Sequence, residues 1–122
     1  MKSPAEIEDN LYCYKAKVVD VYDGDSITIE ADLGFHVKME MKLRLFGIDT
    51  PELRGMERPQ GLKARDFLRD LILEKEVYIN SIKDKQGKYG RYLATVYLEK
   101  DKELININHY LVDSNHAVER YY

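Results

Sequence analysis

From Val37 to Leu45 the chain alternates without a break, with Val37, Met39, Met41, Leu43 and Leu45 against Lys38, Glu40, Lys42 and Arg44. Side chains of a strand point to opposite faces in turn, so the run predicts a strand with one face in an apolar core and one in water. A helix of the same composition would scatter those apolar residues around its circumference. The two methionines are soft donors, but their period assigns them to core packing rather than to a metal.

Neighbouring segments read the same way. Tyr12 to Val21 is rich in Tyr and Val and ends at Tyr22-Asp23-Gly24-Asp25, where the Asp-Gly pair marks a hairpin turn. Ser26 to Ala31 sets Ile27 and Ile29 against Thr28 and Glu30, and Asp32-Leu33-Gly34 turns the chain again. After a loop from Gly47 to Pro59, Leu62, Arg65, Phe67, Leu68, Leu71 and Ile72 carry helical spacing to about Leu73, with Pro59 in the first turn. Val77, Ile79 and Ile82 predict a fourth strand, Asp84 to Gly90 a Gly-containing turn, and Tyr92 to Leu98 a fifth strand. Leu104, Ile107 and Leu111 predict a closing helix reaching about Val118. The order β-β-β-α-β-β-α implies a mainly β, α+β fold: a five-stranded closed barrel of the oligonucleotide/oligosaccharide-binding (OB) kind. Closure removes sheet edges that would otherwise be exposed. Residues 1–11 read as a flexible tail and 12–122 as a single domain.

Composition narrows the function classes. A chain of 122 residues, 44% apolar and 34% charged, fits one globular domain with a real core. No apolar run approaches the ~18 residues of a membrane-spanning helix. The single cysteine, Cys13, excludes an internal disulfide and a Cys-based zinc cluster, and it reads as a partly buried strand residue. Residues 1–10 lack the apolar core of a signal peptide, which leaves a cytoplasmic protein or a trimmed secreted or larger one. The net charge of −3 hides a segregation: residues 38–91 carry +4 and the remainder −7. A basic middle can meet phosphates while the flanks stay acidic.

Two acidic clusters fall at predicted strand ends: Asp23-Gly24-Asp25-Ser26, and Asp49-Thr50-Pro51-Glu52 after Arg44-Leu45-Phe46-Gly47-Ile48. Each alone is ordinary turn chemistry. Together, Asp25 and Asp49 offer two hard carboxylates that a barrel can bring close, a donor type suited to Ca²⁺ or Mg²⁺ rather than zinc. Glu52, three residues beyond Asp49, suits a general base or an anchor for an attacking water. Arg44 and Arg91 could each pair with a surface acid. Against a phosphodiester, their guanidinium forks can hold non-bridging oxygens and neutralise growing charge.

These stretches, with Lys88-Tyr89-Gly90-Arg91, resemble in order the signatures of the staphylococcal nuclease (thermonuclease) family, over about Tyr14 to Tyr121. The resemblance implies a five-stranded barrel enzyme, dependent on one Ca²⁺ per domain, that hydrolyses DNA and RNA to 3′-phosphate and 5′-hydroxyl products. By motif match, Asp25, Asp49 and the Thr50 carbonyl would ligate Ca²⁺, and Arg44 and Arg91 would grip the scissile phosphate. Glu52 would position or deprotonate the attacking water. Lys88 and Tyr89 match residues on a terminal phosphate, and Tyr121 a tyrosine of the nucleotide pocket. Ser26 replaces the family's usual threonine, and the stretch from Ile29 to Arg44 is longer than usual, implying an extended second hairpin. The chain stops at Tyr122, short of the closing helix of the secreted members, so an oligomer or an additional C-terminal segment is an expected partner. Its net acidity also departs from theirs and would weaken salt-sensitive attraction to long nucleic acid.

Two other classes compete with the nuclease. An inactive OB module would bind nucleic acid or a protein without turnover. A two-carboxylate glycosidase using Asp25 and Glu52 would leave both arginines without a role. His36, His109 and His116 lack ligand spacing and read as structural or exposed. The ten tyrosines read first as core or barrel wall, and second as stacking surfaces for bases.

Overall fold

The computed structural model describes residues 3–86 and 90–120. The alternating segments become β1 (Cys13–Asp23), β2 (Ser26–Asp32) and β3 (Lys38–Leu45), joined as antiparallel neighbours. A two-residue β4 (Ile48–Asp49) follows, then a 3-10 turn at Gly55–Glu57 and helix α2 (Arg58–Ile72). Next come β5 (Glu76–Gln86), β6 (Tyr92–Lys100), β7 (Glu103–Asn106), α3 (Ile107–Asp113) and β8 (Val118–Glu119). A short helix α1 (Pro4–Glu8) precedes them, capped by the Ser3 hydroxyl and burying none of its residues.

The sheet order β3-β2-β1-β5-β6 closes through parallel pairing of β3 with β6, from Leu43↔Tyr92 to Leu45↔Ala94. This is the five-stranded, OB-like barrel expected from the strand pattern. Register shifts in β1 between Val18 and Asp20, and again between Val21 and Asp23, mark bulges that bend the strand as the barrel needs. Ile27, Ile29, Leu43, Leu45, Val77 and Val96 fill the interior, and α2 packs Ala64, Leu68 and Ile72 against it. The Arg69 guanidinium ties α2 to β1 by donating to the Val21 carbonyl at 3.0 and 3.2 Å.

Several expectations change. Leu104 lies in β7 rather than a helix, because Asp101 and Lys102 both adopt left-handed φ and turn the chain back onto β6. The helix starts only after Asn106, whose side chain caps it by accepting from the His109 N–H at 3.1 Å. It stops at Asp113, and Val118 pairs with Asp49 as part of β8. β5 runs on to Gln86, through the start of the expected turn. Cys13 is exposed, since it opens β1 at the barrel rim. The stripe on β3 is only partly core: Leu43 and Leu45 are buried, but Val37 and Met39 are 50% and 54% exposed.

Asn108 is a buried polar joint that periodicity does not reveal. Its amide nitrogen donates to the Phe46 and Ala94 carbonyls at 2.8 and 3.1 Å, and its oxygen accepts from the Val96 N–H at 3.1 Å. Asn108→Ala would strand these backbone groups away from water, so urea unfolding should register a loss of about 2–4 kcal/mol. A loss below about 0.5 kcal/mol would mean that the joint carries no stability.

Candidate functional site

A cleft of about 650 Å³ opens over the polar face of the β2–β3 hairpin, the β1–β2 turn and the loop after β4. Asp25, Arg44, Asp49, Thr50, Glu52 and Arg91 all line it. Residues far apart in the chain converge because Ser26 and Arg44 are direct cross-strand partners and β3 lies beside the start of β6.

Asp25 lies at the base of the turn between β1 and β2. Asp23 shapes this turn by accepting the Asp25 N–H on Oδ1 at 3.0 Å, a common Asx-turn contact. Gly24 is required by close approach, because a Cβ there would fall 2.9 Å from both Ala64 Cβ and Thr50 Cγ2. The Asp25 side chain accepts from the Ser26 hydroxyl at 3.3 Å and from the Thr50 N–H at 3.3 Å.

Arg44 bridges the two acidic clusters. Its Nη2 lies 3.5 Å from Asp25 Oδ2 and 3.4 Å from Asp49 Oδ1, while Nη1 donates to the Leu45 and Ile48 carbonyls at 3.3 and 3.1 Å. Asp49 also meets Arg120 Nη1 through Oδ2 at 3.3 Å, brought there by the β4–β8 pairing. Arg91 donates through Nη1 to the Ser26 hydroxyl, so Ser26 links Arg91 to Asp25.

Glu52 is exposed and paired with Arg54 at 3.1 Å. Its backbone lies tight against α2: a Cβ on Gly61 would come within 2.3 Å of the Glu52 carbonyl oxygen. The glycine therefore sets how closely the Pro51–Glu52 loop can approach the helix. Lys88, Tyr89 and Tyr121 lie outside the described residues.

Sequence reasoning missed the contributions of Asp23, Arg54 and Arg120. Asp23 was visible only as a turn residue, and Arg54 lies two positions from Glu52. Nothing local in the sequence signals that Arg120 returns to Asp49. The hydroxyl of Ser26 was legible, but its place between Arg91 and Asp25 was not.

Among the described residues no group of three His, Cys, Asp or Glu side chains is gathered as a metal site. The donor set is two carboxylates, so a bound cation would draw the rest of its shell from backbone oxygen and water. The electrostatics of Asp25 fit such a guest. Burial pushes its carboxyl up to about 6, the neighbouring Asp23 adds to the rise, and Arg44 and the Thr50 N–H only partly oppose it. A hard divalent cation would supply the missing positive charge.

A profile of the family described as "Staphylococcal nuclease homologue" matches residues 42–122. An uncharacterised protein of Methanocaldococcus jannaschii is 32% identical over 126 aligned positions, covering 85% of this chain and 58% of that protein. A thermonuclease of Staphylococcus hyicus is 34% identical over 88 positions, covering 70% of this chain and 49% of that enzyme. A thermonuclease of Staphylococcus intermedius is 30% identical over 109 positions, covering 87% and 58%. The chain thus spans about half the length of the curated relatives it matches.

The raised Asp25 pKa has a consequence for stability. Between its ordinary value of 3.8 and about 6 the folded state holds a proton that the unfolded chain releases, so this group's contribution falls as pH rises through that window. Without a cation, Asp25→Asn should therefore raise the unfolding free energy at pH 7 by on the order of 1–3 kcal/mol. The gain should shrink below pH 6 and vanish near pH 4 in urea melts with chelator. A variant less stable than the parent at pH 7 would contradict this origin of the shift.

Proposed function

The chain belongs to the staphylococcal nuclease family, and from that premise we propose that it is a Ca²⁺-dependent phosphodiesterase cleaving DNA, RNA or both. The reading is carried by the convergence of Asp25, Asp49, Thr50, Arg44, Arg91 and Glu52 on one cleft, with the two aspartates meeting at Arg44.

In this reading Asp25, Asp49 and the Thr50 carbonyl hold Ca²⁺. When bound, the ion would supply positive charge to offset the negative charge that grows on the phosphate. Arg44 and Arg91 hold the non-bridging oxygens of the scissile phosphate and neutralise charge as phosphorus becomes five-coordinate. Glu52 takes the proton of the attacking water or orients that water by a hydrogen bond. Water oxygen bonds to phosphorus, the bond from phosphorus to the 5′-oxygen breaks, and a proton passes to that oxygen. The products are a 3′-phosphate and a 5′-hydroxyl. Lys88, Tyr89 and Tyr121 are assigned to the substrate's terminal phosphate and base.

Digestion of labelled single-stranded DNA and RNA, with Ca²⁺ or with chelator, tests the proposal. Cleavage should require Ca²⁺, disappear in Asp49→Ala, and fall in Arg91→Ala on the order of 10²–10³-fold. Undiminished cleavage by Arg91→Ala would remove that residue from the site. Failure of the folded parent to cleave either polymer would favour the module that binds without turnover.

A further inference from the structure

One aromatic residue of the cleft has no part in the chemistry above. The partner pairs Val21↔Ile27 and Asp23↔Ser26 leave β1 with one residue more than β2, and that residue is Tyr22. An extra residue of this kind bends its strand and re-aims its own side chain. Val21 beside it is fully buried, whereas Tyr22 is 67% exposed, more than any other described tyrosine. Tyr22 lines the cleft, and among the described residues no side-chain hydrogen bond or ring contact engages it. An aromatic ring left in water adds little to the core, so the stability of the barrel does not account for it.

The surroundings of Tyr22 decide what it can meet. Asp20 and Asp23 flank it on β1 and line the same cleft, so a phosphate beside the ring would be repelled. Pro51 and Leu53 also line the cleft and give it an apolar margin. A flat, uncharged group suits this combination, and a nucleobase is such a group. The spacing agrees. Asp23, next to Tyr22, pairs with Ser26, while Ser26 pairs with Arg44 and its hydroxyl accepts from Arg91. Tyr22 on β1 therefore stands two strand spacings, roughly 10 Å, from Arg44 on β3. One nucleoside bridges that span from its phosphate to its base.

We propose that Tyr22 stacks one of the two bases that flank the scissile phosphate, leaving the other to Tyr121. This rests on the nuclease reading of the cleft, which gives Arg44 and Arg91 the phosphate between those bases. Every base has a π-face, so the subsite favours a nucleotide over a bare sugar-phosphate and imposes little sequence preference of its own. It also makes a dinucleotide, rather than an ester of a single nucleotide, the smallest substrate that the cleft holds on both flanks.

Calorimetric titration with a thymidine dinucleotide whose bridging 5′-oxygen is replaced by methylene tests the subsite in Ca²⁺ without turnover. Two further analogues each lack one of the two bases. Tyr22→Ala should weaken binding of the full dinucleotide about tenfold to a hundredfold, and Tyr22→Phe should preserve it. Removing one particular base should weaken the parent by the same factor and leave Tyr22→Ala with no further effect, while removing the other base leaves the effect of Tyr22→Ala intact. That factor should hold from about 50 to 300 mM salt, because stacking, unlike a phosphate contact, releases no counterions. Equal loss on all three analogues, no loss on any, or a parent that does not bind the dinucleotide would each overturn the proposal. A marked drop in the urea midpoint of Tyr22→Ala would make the residue structural and overturn it too. Cleavage of DNA or RNA without this coupling would remove the subsite and keep the nuclease. Coupling without cleavage would keep the subsite in a module that binds without turnover.

Discussion

One guanidinium group holds the candidate site together. Arg44 spends Nη1 on two backbone carbonyls and places Nη2 between the carboxylates of Asp25 and Asp49, which come from different turns of the barrel. Asp25 sits where water is scarce, Asp49 is partly exposed beside it, and their mutual repulsion would splay the loop after β4 without a positive charge between them. The Arg44 side chain is only 15% exposed, so this charge is screened far less than a surface ion pair would be. The same carbonyl contacts fix the chain just beyond β3, where Ile48 enters the core and Asp49 turns toward the cleft. Asp25 still keeps a raised pKa, because Arg44 does not fully offset the cost of burying its charge. That residual deficit is one that a bound cation would offset.

Much of the fold is legible because a barrel's interior imposes a period of two. Ile27, Ile29, Leu43 and Leu45 alternate in sequence and all are buried. The pattern misleads where the strand outruns the barrel: Val37 and Met39 keep the period but have no wall to face. It fails differently at Leu104, where spacings of three and four mimic a helix. The left-handed pair Asp101-Lys102 makes a hairpin of the same residues. Asp tolerates left-handed backbone but Lys seldom adopts it, so local chemistry gave little warning of two such residues in a row. Asn108 was silent for another reason, since its value lies in three backbone groups supplied by other elements.

The site divides along the same line. Residue types with their own chemical signature, two hard carboxylates and two arginines near strand ends, could be picked out and do line one cleft. Contacts that depend on the path of the chain could not. Arg120 reaches Asp49 only because β8 folds back onto β4, and Ser26 meets Arg91 only because β3 closes against β6. Glu52 owes its position partly to Gly61, nine residues on, whose missing side chain admits the loop.

Calorimetric titration of Ca²⁺ into the parent chain and into Asp25→Asn tests most directly whether the deficit at Arg44 is a cation site. The account predicts uptake of one Ca²⁺ per chain by the parent and loss of that uptake in the folded variant. Equal Ca²⁺ affinity in the two proteins would contradict it.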